Sequence, residues 1–117
     1  MQIKSIEFIN DLIYINNEIA HGVYIDNNSN MYWYKDGKLH RDNDRPSIIY
    51  KCNTRCWCKN GVFHRENDQP AVVYSNGDKL WYYRGEYHRD NGKPAVIHSD
   101  GDKRWYKYGT RQFPNKE

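Results

Sequence analysis

The chain has 117 residues, a formal net charge of +3 and a hydrophobic fraction of only 38%, although 15% of its residues are aromatic. A chain of this length forms one domain that buries roughly two-thirds of its unfolded surface, so its Tyr and Trp side chains must build a thin, half-hydrated core. The small charge excess permits nucleic-acid binding without requiring it, and no apolar run approaches the roughly 18 residues of a membrane span.

The N-terminal residues 1–32 are predicted to form a degenerate capping repeat. The segment Ile6–Asn16 alternates apolar and polar residues poorly, and its central Asn-Asp pair predicts a hairpin, with a short helix as the alternative. The first ten residues include acidic and polar groups and lack the apolar core of a signal peptide. We therefore expect a cytoplasmic protein, or one of the host cytoplasm if it is viral.

A period of 24 residues governs the central part of the chain, where we distinguish three full repeats, 33–56, 57–80 and 81–104. Four kinds of position recur at this step. They are the tryptophans Trp33, Trp57, Trp81 and Trp105, the glycines Gly37, Gly61, Gly85 and Gly109, the His-Arg pairs His40-Arg41, His64-Arg65 and His88-Arg89, and the prolines Pro46, Pro70 and Pro94.

Each repeat has the pattern of β-strands separated by two turns. Segments such as PAVVY and KLWYY are rich in β-branched and aromatic residues, and no segment shows an apolar period of 3.6 residues. Asn76-Gly77 and Asp100-Gly101 predict two-residue hairpins, while Asp36-Gly37 and Asn60-Gly61 mark the second turn. The expected fold is all-β: an elongated antiparallel meander of β-hairpin repeats in a single curved sheet.

The C-terminal residues 105–117 begin a fourth repeat and then depart from it. Gln112 and Phe113 stand where His-Arg is expected, and Pro114 follows them. We interpret this segment as a C-terminal half-repeat cap, because a stack of repeats needs atypical ends. The whole chain, 1–117, is thus predicted to be a single β-repeat domain.

The repeat resembles a known sequence family. WYKDGKLHRDND and WCKNGVFHREND, followed by SIIYKC and AVVYSNG, are similar to the MORN repeat, over residues 33–110. Arg follows His where that repeat usually has Gly, and Pro-Ala replaces Gly-x-Gly, as in a divergent variant found in phage, mobile-element and giant-virus proteins. The resemblance implies hairpins in one slightly curved sheet, and contacts with proteins and with lipids.

The His-Arg-Asp triplets are predicted to be structural and not catalytic. A kinase loop needs a later Asn, a Gly-rich phosphate loop and a strand lysine, none of which the chain has. Equivalent residues of successive two-strand repeats lie on the order of 10 Å apart, too far to share one metal ion. We expect each histidine to bond the backbone or pack on an adjacent aromatic ring. We expect each arginine to pair with a carboxylate of its own or a neighbouring repeat, such as Asp42, Glu66 or Asp90.

Three cysteines, Cys52, Cys56 and Cys58, lie within seven residues. Their odd number and local clustering disfavour a four-ligand zinc site or a disulfide, so we expect reduced cysteines that pack in the core. We expect no metal and no cofactor.

Aromatic residues form two predicted lines, on opposite faces because side chains alternate along a strand. The tryptophans are expected to build the core. The other line, with Cys58 in one slot, is the predicted partner-binding surface, together with the adjacent basic residues. Its candidate residues are Tyr34, Lys35, Tyr82, Arg84, Tyr106 and Lys107.

No acid-base pair or nucleophile stands out, so we expect a non-enzymatic protein-binding module, a monomer or a homodimer through a sheet face or edge. Its size and the variant of its repeat suggest an inhibitor of a host enzyme or defence complex, such as an anti-CRISPR protein. The alternative is a protein that binds single-stranded nucleic acid by Tyr and Arg stacking. Membrane binding is not expected.

Overall fold

The computed structural model describes residues 3–114, which form antiparallel β-structure and, within that range, contain no helix. The body is elongated, with extents of 56 × 28 × 23 Å. The N-terminal strands are β1 (Ile6–Ile9), β2 (Leu12–Ile15), β3 (Glu18–Ile19), β4 (Gly22–Ile25), β5 (Met31–Lys35), β6 (Lys38–Leu39), β7 (Ile48–Ile49) and β8 (Arg55–Cys56). The remaining strands are β9 (Cys58–Lys59), β10 (Val62–Phe63), β11 (Val72–Val73), β12 (Lys79–Leu80), β13 (Tyr82–Tyr83), β14 (Glu86–Tyr87), β15 (Val96–Ile97), β16 (Lys103–Lys107) and β17 (Thr110–Gln112).

The all-β prediction is confirmed. One open sheet of ten strands, which we call the main sheet, runs in the order β17-β16-β15-β12-β11-β8-β7-β5-β4, with β6 beside β5. Two further hairpins, β9–β10 and β13–β14, and a three-stranded sheet, β1-β2-β3, complete the structure. The predicted N-terminal hairpin forms with Ile9 opposite Leu12. Among the described residues no helix has the length and apolarity of a transmembrane segment.

In each repeat, the tryptophan lies where the chain leaves the main sheet and enters a hairpin. The Trp57 N–H donates to the Ala71 carbonyl of the next sheet strand at 2.7 Å, and its carbonyl accepts from the His64 N–H of its own hairpin at 3.0 Å. Trp81 makes the same pair of bonds. We call the row formed by β5–β6, β9–β10, β13–β14 and β16–β17 the hairpin tier. It lies beside the main sheet along the whole stack.

The two-residue turns of the hairpin tier require a left-handed φ at both positions, which explains why Asn-Gly and Asp-Gly recur there. Asn60 and Gly61 have φ of 51° and 87°, which is a two-residue type I′ turn, and the equivalent residues of the other hairpins agree. The prediction of two-residue turns at Asn76-Gly77 and Asp100-Gly101 is wrong. There Tyr74 pairs with Asp78, so three residues form the connection, and only its glycine has a left-handed φ.

The core lies on one face of the main sheet. Its strands are in register, so one row of directly opposed residues crosses the sheet on that inner face, and its members are mostly buried. We call this the core row: Tyr24, Tyr32, Ile48, Cys56, Val72, Leu80, Val96 and Arg104.

The N-terminal cap ends the hairpin tier. Its own small core consists of Ile15, Ala20 and Tyr24, against which Tyr34 packs. The turn at Gly37 fits tightly against it, and the Gly37 N–H donates to the Ala20 carbonyl at 2.7 Å. A Cβ on Gly37 would stand 3.0 Å from the side chain of Leu12, so the close approach requires glycine. The cap thus replaces the preceding hairpin that an internal repeat would contact. The predicted C-terminal cap is described only to Pro114.

Candidate functional site

The inner faces of the main sheet and the hairpin tier enclose a long groove. The core row of the main sheet forms its floor. Tyr50, Tyr74 and His98, one from each repeat, form its lip on the main-sheet side. Two open depressions, of about 410 and 350 Å³, lie between this lip and the aromatic residues of the hairpin tier. Tyr74 belongs to both and is 42% exposed.

The opposite wall of the groove is a continuous ladder of aromatic rings. The ring centroids of Phe63 and Tyr82 are 5.0 Å apart, those of Tyr82 and Tyr87 4.6 Å, and those of Tyr87 and Tyr106 4.9 Å. The rings are tilted against one another by 34–52°. They are half-buried because they pack on the core row. The groove therefore presents aromatic edges and hydroxyl groups above an apolar floor.

Three tyrosines of the groove, Tyr50, Tyr74 and Tyr82, have a raised pKa and keep their hydroxyl protons at neutral pH. Burial, reinforced by a hydrogen bond with Tyr87, raises the pKa of Tyr82 far above its usual range. Burial also raises the pKa of Tyr50 and Tyr74. The histidine on the lip, His98, faces Asp78 with 3.2 Å between Nδ1 and the carboxylate. The first depression has no Asp, Glu, His, Lys or Arg in its lining and offers hydroxyl donors and apolar surface, whereas Asp78, His98 and Arg104 line the second.

The histidines of the His-Arg pairs join one repeat to the next. His64 Nδ1 accepts the backbone N–H of Arg84 at 2.9 Å, so the ring proton is on Nε2, which lies 2.8 Å from the Glu66 carboxylate. His40 and His88 have the same two contacts, with Asp42 and Asp90 as their carboxylates. All three rings are buried. His88 also stacks on Tyr108, with centroids 4.0 Å apart. The predicted backbone bonding and aromatic packing are confirmed.

Two of the arginines pair with a carboxylate of a neighbouring repeat, as expected, but the partners are not the residues that were named. Arg65 bonds Asp44 of the preceding repeat at 2.8 and 3.2 Å, and Arg89 bonds Asp68 at 2.8 and 3.3 Å. The prediction of Asp42, Glu66 and Asp90 is wrong because the adjacent histidine binds those carboxylates. Arg41 has no partner of this kind, since residue 20 is alanine.

Each arginine also covers a tryptophan. The Arg65 guanidinium carbon lies 3.7 Å from the Trp57 ring centroid, and its Nη1 donates to the Pro70 carbonyl at 3.0 Å. The Trp57 indole N–H donates to the backbone carbonyl of Asp44 at 3.0 Å. Asp44 therefore binds the next repeat with both its side chain and its backbone. We call the contacts among Asp44, Trp57, Arg65 and Pro70 the inter-repeat clamp, and it recurs one repeat later.

Two residues of these networks were missed from the sequence. His21 Nδ1 accepts a hydrogen bond from the backbone N–H of Asp36 at 3.3 Å. The buried histidines accept the same kind of bond, although His21 does not lie at the 24-residue spacing that relates them. Asp44 has a left-handed φ of 55°, following Asn43 at 62°. The Asn-Asp pair, repeated at 67–68, was a signal for this tight turn that places the carboxylate against the next repeat.

The structure does not bring the predicted partner-binding residues together on one surface. Tyr82 and Tyr106 pack on the core row inside the groove, and Tyr34 packs on the cap. Arg84 lies at a type I′ turn with a φ of 50°. Lys35 and Lys107 are exposed, and strand alternation places them on the face opposite the tyrosines. The expected continuous strip of Tyr and basic residues is therefore wrong, because neighbouring residues face opposite sides.

The tryptophans lie outside the groove. Trp57 and Trp81 are each 7% exposed, whereas Trp33 and Trp105 at the ends are partly exposed. They do not pack on one another as the core of the sheet. Instead each of Trp33, Trp57 and Trp81 is covered by the arginine of its own repeat.

The cysteines are free thiols. Packing is confirmed for Cys56 and Cys58, which are buried in the core, and burial raises the pKa of Cys56 to about 12. The packing prediction is wrong for Cys52, which is exposed, and a hydrogen bond with Thr54 lowers its pKa. Within residues 3–114, no group of three or more His, Cys, Asp or Glu side chains is placed to hold a metal ion.

Comparison with known proteins finds no matching family model, no matching curated protein and no matching solved structure.

Proposed function

We propose that the protein is a non-enzymatic binding module that holds an extended segment of a partner protein in the groove. The observation that carries this proposal is the aromatic ladder facing the lip of Tyr50, Tyr74 and His98 across an apolar floor. Tyrosines with one apolar face and one hydroxyl are enriched at protein interfaces, because they bury area without losing a hydrogen bond. The groove is open along the stack, so a chain can lie lengthwise in it.

The rise of one repeat supports an extended ligand. Two steps of the ladder, 4.6 and 4.9 Å, lead from Tyr82 to Tyr106, which is one repeat further along the chain. Three residues of an extended or polyproline II chain span about 9–10 Å. A polyproline II segment, which has three residues per turn, would present every third side chain to an equivalent site. Three repeats would then read about nine residues.

Three narrower interpretations stay predictions: membership of the MORN-like repeats, inhibition of a host enzyme or defence complex, and binding of single-stranded nucleic acid. The last is less well supported by the geometry. The candidate tyrosines lie inside the groove whereas Arg84, Lys35 and Lys107 lie at a turn or on the other face. A single nucleic-acid strand whose bases stack on the groove tyrosines would lie away from Arg84, Lys35 and Lys107.

The proposal can be tested by site-specific photo-cross-linking in extracts of the source cell. A photoreactive phenylalanine analogue at position 74 lies on the groove lip, whereas the same analogue at position 79 lies on the outer face of the adjacent strand. We expect the probe at position 74 to give a discrete protein adduct. Nuclease treatment should leave this adduct intact, and an excess of the same protein without the photoreactive residue should remove it. We expect position 79 to give no such adduct.

Tyr74→Ser, on the exposed lip, should weaken the adduct formed from a second probe at position 50 without changing the melting temperature. A matched control is Tyr83→Ser, because Tyr83 lies in the hairpin tier but packs on His64 outside the groove. Equal adducts from positions 74 and 79, or an adduct that nuclease destroys, would overturn the proposal.

A further inference from the structure

A second row of directly opposed residues crosses the outer face of the main sheet. Its side chains point away from those of the core row. Seven successive register pairs connect its members across the strands β4, β5, β7, β8, β11, β12, β15 and β16. We call it the outer row: Ile25, Met31, Ile49, Arg55, Val73, Lys79, Ile97 and Lys103. Apolar and cationic residues alternate over its second half, and it contains no carboxylate.

The three cations of the outer row are equivalent residues of successive repeats. Arg55, Lys79 and Lys103 are all exposed, and the structure gives none of them an ion pair with a described residue. The carboxylates adjacent to two of them in the chain, Asp78 and Asp102, pair with His98 and Arg104 instead. Two strand spacings separate one cation from the next, or about 10 Å. Although the net charge of the whole chain is small, three positive charges that have no ion pair with a described residue therefore form a line on this face.

The aromatic residues beside the outer row indicate which kind of anionic partner this face can bind. Trp57 and Trp81, next but one along the strand from Arg55 and Lys79, lie on the same face, but guanidinium groups cover them at 3.7 and 3.8 Å. No ring in the middle of this face is free to stack on an unpaired base, as single-strand binding requires. A partner that keeps its bases stacked and presents only phosphates does not need such a ring.

We propose that the outer row binds the phosphate backbone of double-stranded nucleic acid without reading its sequence. A duplex carries one negative charge per roughly 1.7 Å of its axis, so a line of about 20 Å meets several phosphates in any sequence. Phosphate contacts position a protein but carry no base information. This surface is separate from the groove, so the protein can bind the duplex and a protein partner at once.

The test is fluorescence anisotropy with a labelled random-sequence 20-base-pair DNA duplex. Three neutralised phosphates predict a slope of about −2.7 in log affinity against log salt, or an affinity loss of about 40-fold between 50 and 200 mM salt. The triple variant R55Q/K79Q/K103Q should lose at least about 10-fold in affinity at 50 mM salt. Its remaining salt dependence should be shallow.

A control variant removes the same charge from the hairpin tier. The variant K35Q/K59Q/K107Q alters exposed lysines, of which Lys35 and Lys59 lie near the Asp42 carboxylate. It should bind the duplex within about 3-fold of the wild type, because these lysines lie outside the outer row and the carboxylates of Asp42 and Glu66 lie near Lys35 and Lys59. Single substitutions K79Q and K59Q give the same comparison if either triple variant folds poorly.

Equal affinity losses in the two triple variants would overturn the proposal, since they would indicate net charge and not the outer row. Binding to vesicles containing 30% phosphatidylserine without binding to the duplex would also overturn it, as would the absence of duplex binding at 50 mM salt. Tyr74→Ser should leave duplex affinity unchanged, so the groove proposal and this one can fail independently.

Discussion

Arg65 and Asp44 lie 21 residues apart in the chain and are joined by two hydrogen bonds of 2.8 and 3.2 Å that cross from one repeat to the next. The arginine side chain is 14% exposed and the aspartate 57% exposed, so the pair lies at the edge of the buried indole of Trp57. A planar guanidinium satisfies this carboxylate, the indole face and the Pro70 carbonyl at the same time. The stack of repeats is thus held by side chains as well as by the ladder of backbone bonds.

The first prediction concerns this clamp. Arg65→Lys should lower the free energy of unfolding by about 1–2 kcal/mol, because a lysine cannot make the paired bonds and the stacking contact together. Urea denaturation followed by tryptophan fluorescence measures it. The control Arg55→Lys changes an exposed cation that has no ion pair with a described residue and lies 5.9 Å from the Trp57 ring centroid, against 3.7 Å for Arg65, so it should stay within about 0.5 kcal/mol of the wild type. Equal effects from the two substitutions would contradict the clamp.

The buried histidines should stabilise the fold and have no direct part in binding. His64→Ala should lower the free energy of unfolding by about 2–3 kcal/mol, because the buried N–H of Arg84 loses its acceptor and a cavity remains. His21→Ala breaks the same kind of bond in a ring that is 66% exposed and should cost less than about 1 kcal/mol. An unchanged unfolding midpoint for His64→Ala, with lost partner adducts, would refute the structural role.

Arg84 should be replaceable with a gain in stability. It has a left-handed φ of 50° at the first position of a type I′ turn, where the equivalent residues Asp36 and Asn60 are of the types that tolerate that region. Arg84→Asn should raise the free energy of unfolding by about 0.5–1 kcal/mol. Tyr108→Asn at the next turn tests the same cause, but it also removes the stacking on His88, so a smaller gain is expected. A loss of stability with Arg84→Asn would show that the arginine side chain makes a stabilising contact.

Acid should destabilise the protein. Hydrogen bonds from Arg65 and Arg89 hold the pKa of Asp44 and Asp68 below the usual range, and His64 does so for Glu66. A carboxyl whose pKa is lower in the folded state stabilises the protein above its unfolded-state pKa, and this stabilisation is lost as pH falls through the folded value. The free energy of unfolding should therefore decline below about pH 4.

Urea titrations between about pH 2.5 and 7 measure this decline. The double variant D44N/D68N should be less stable near neutral pH but should show a shallower decline in acid, because two of the responsible groups are absent. A decline that is as steep as in the wild type would assign the acid sensitivity to other carboxylates.

Several parts of the fold could be predicted from local chemistry. The type I′ turns follow from Asp/Asn-Gly pairs, since both residues must adopt a left-handed φ. The N-terminal hairpin around Asn10 and Asp11 follows from the same rule. The turn at Asn76-Gly77 was mispredicted because the Tyr74–Asp78 pair closes the connection one residue earlier, and a dipeptide alone does not reveal which residues pair.

The candidate site was only partly predictable. The tyrosines of the groove were correctly separated from the tryptophans, because strand alternation places adjacent residues on opposite faces. The same alternation contradicts the grouping of Tyr82 with its basic neighbours in one surface. Arg55, Lys79 and Lys103 were not singled out from the sequence, although the 24-residue period places them at equivalent positions. That they have no ion pair with a described residue depends on which side chains the fold brings together.

The sequence by itself determined the period, the turns and the all-β class, because these depend on the conformational preferences of residues that are close in the chain. The tertiary structure alone decided that Arg65 reaches Asp44 and not Glu66, that the indoles are covered by guanidinium groups, and that the three cations of the outer row have no ion pair with a described residue. The contact of Arg65 with Asp44 joins residues 21 positions apart, and the bond from the Arg84 N–H to His64 joins residues 20 positions apart. They depend on how each loop folds over the next repeat, which a period along the chain does not specify.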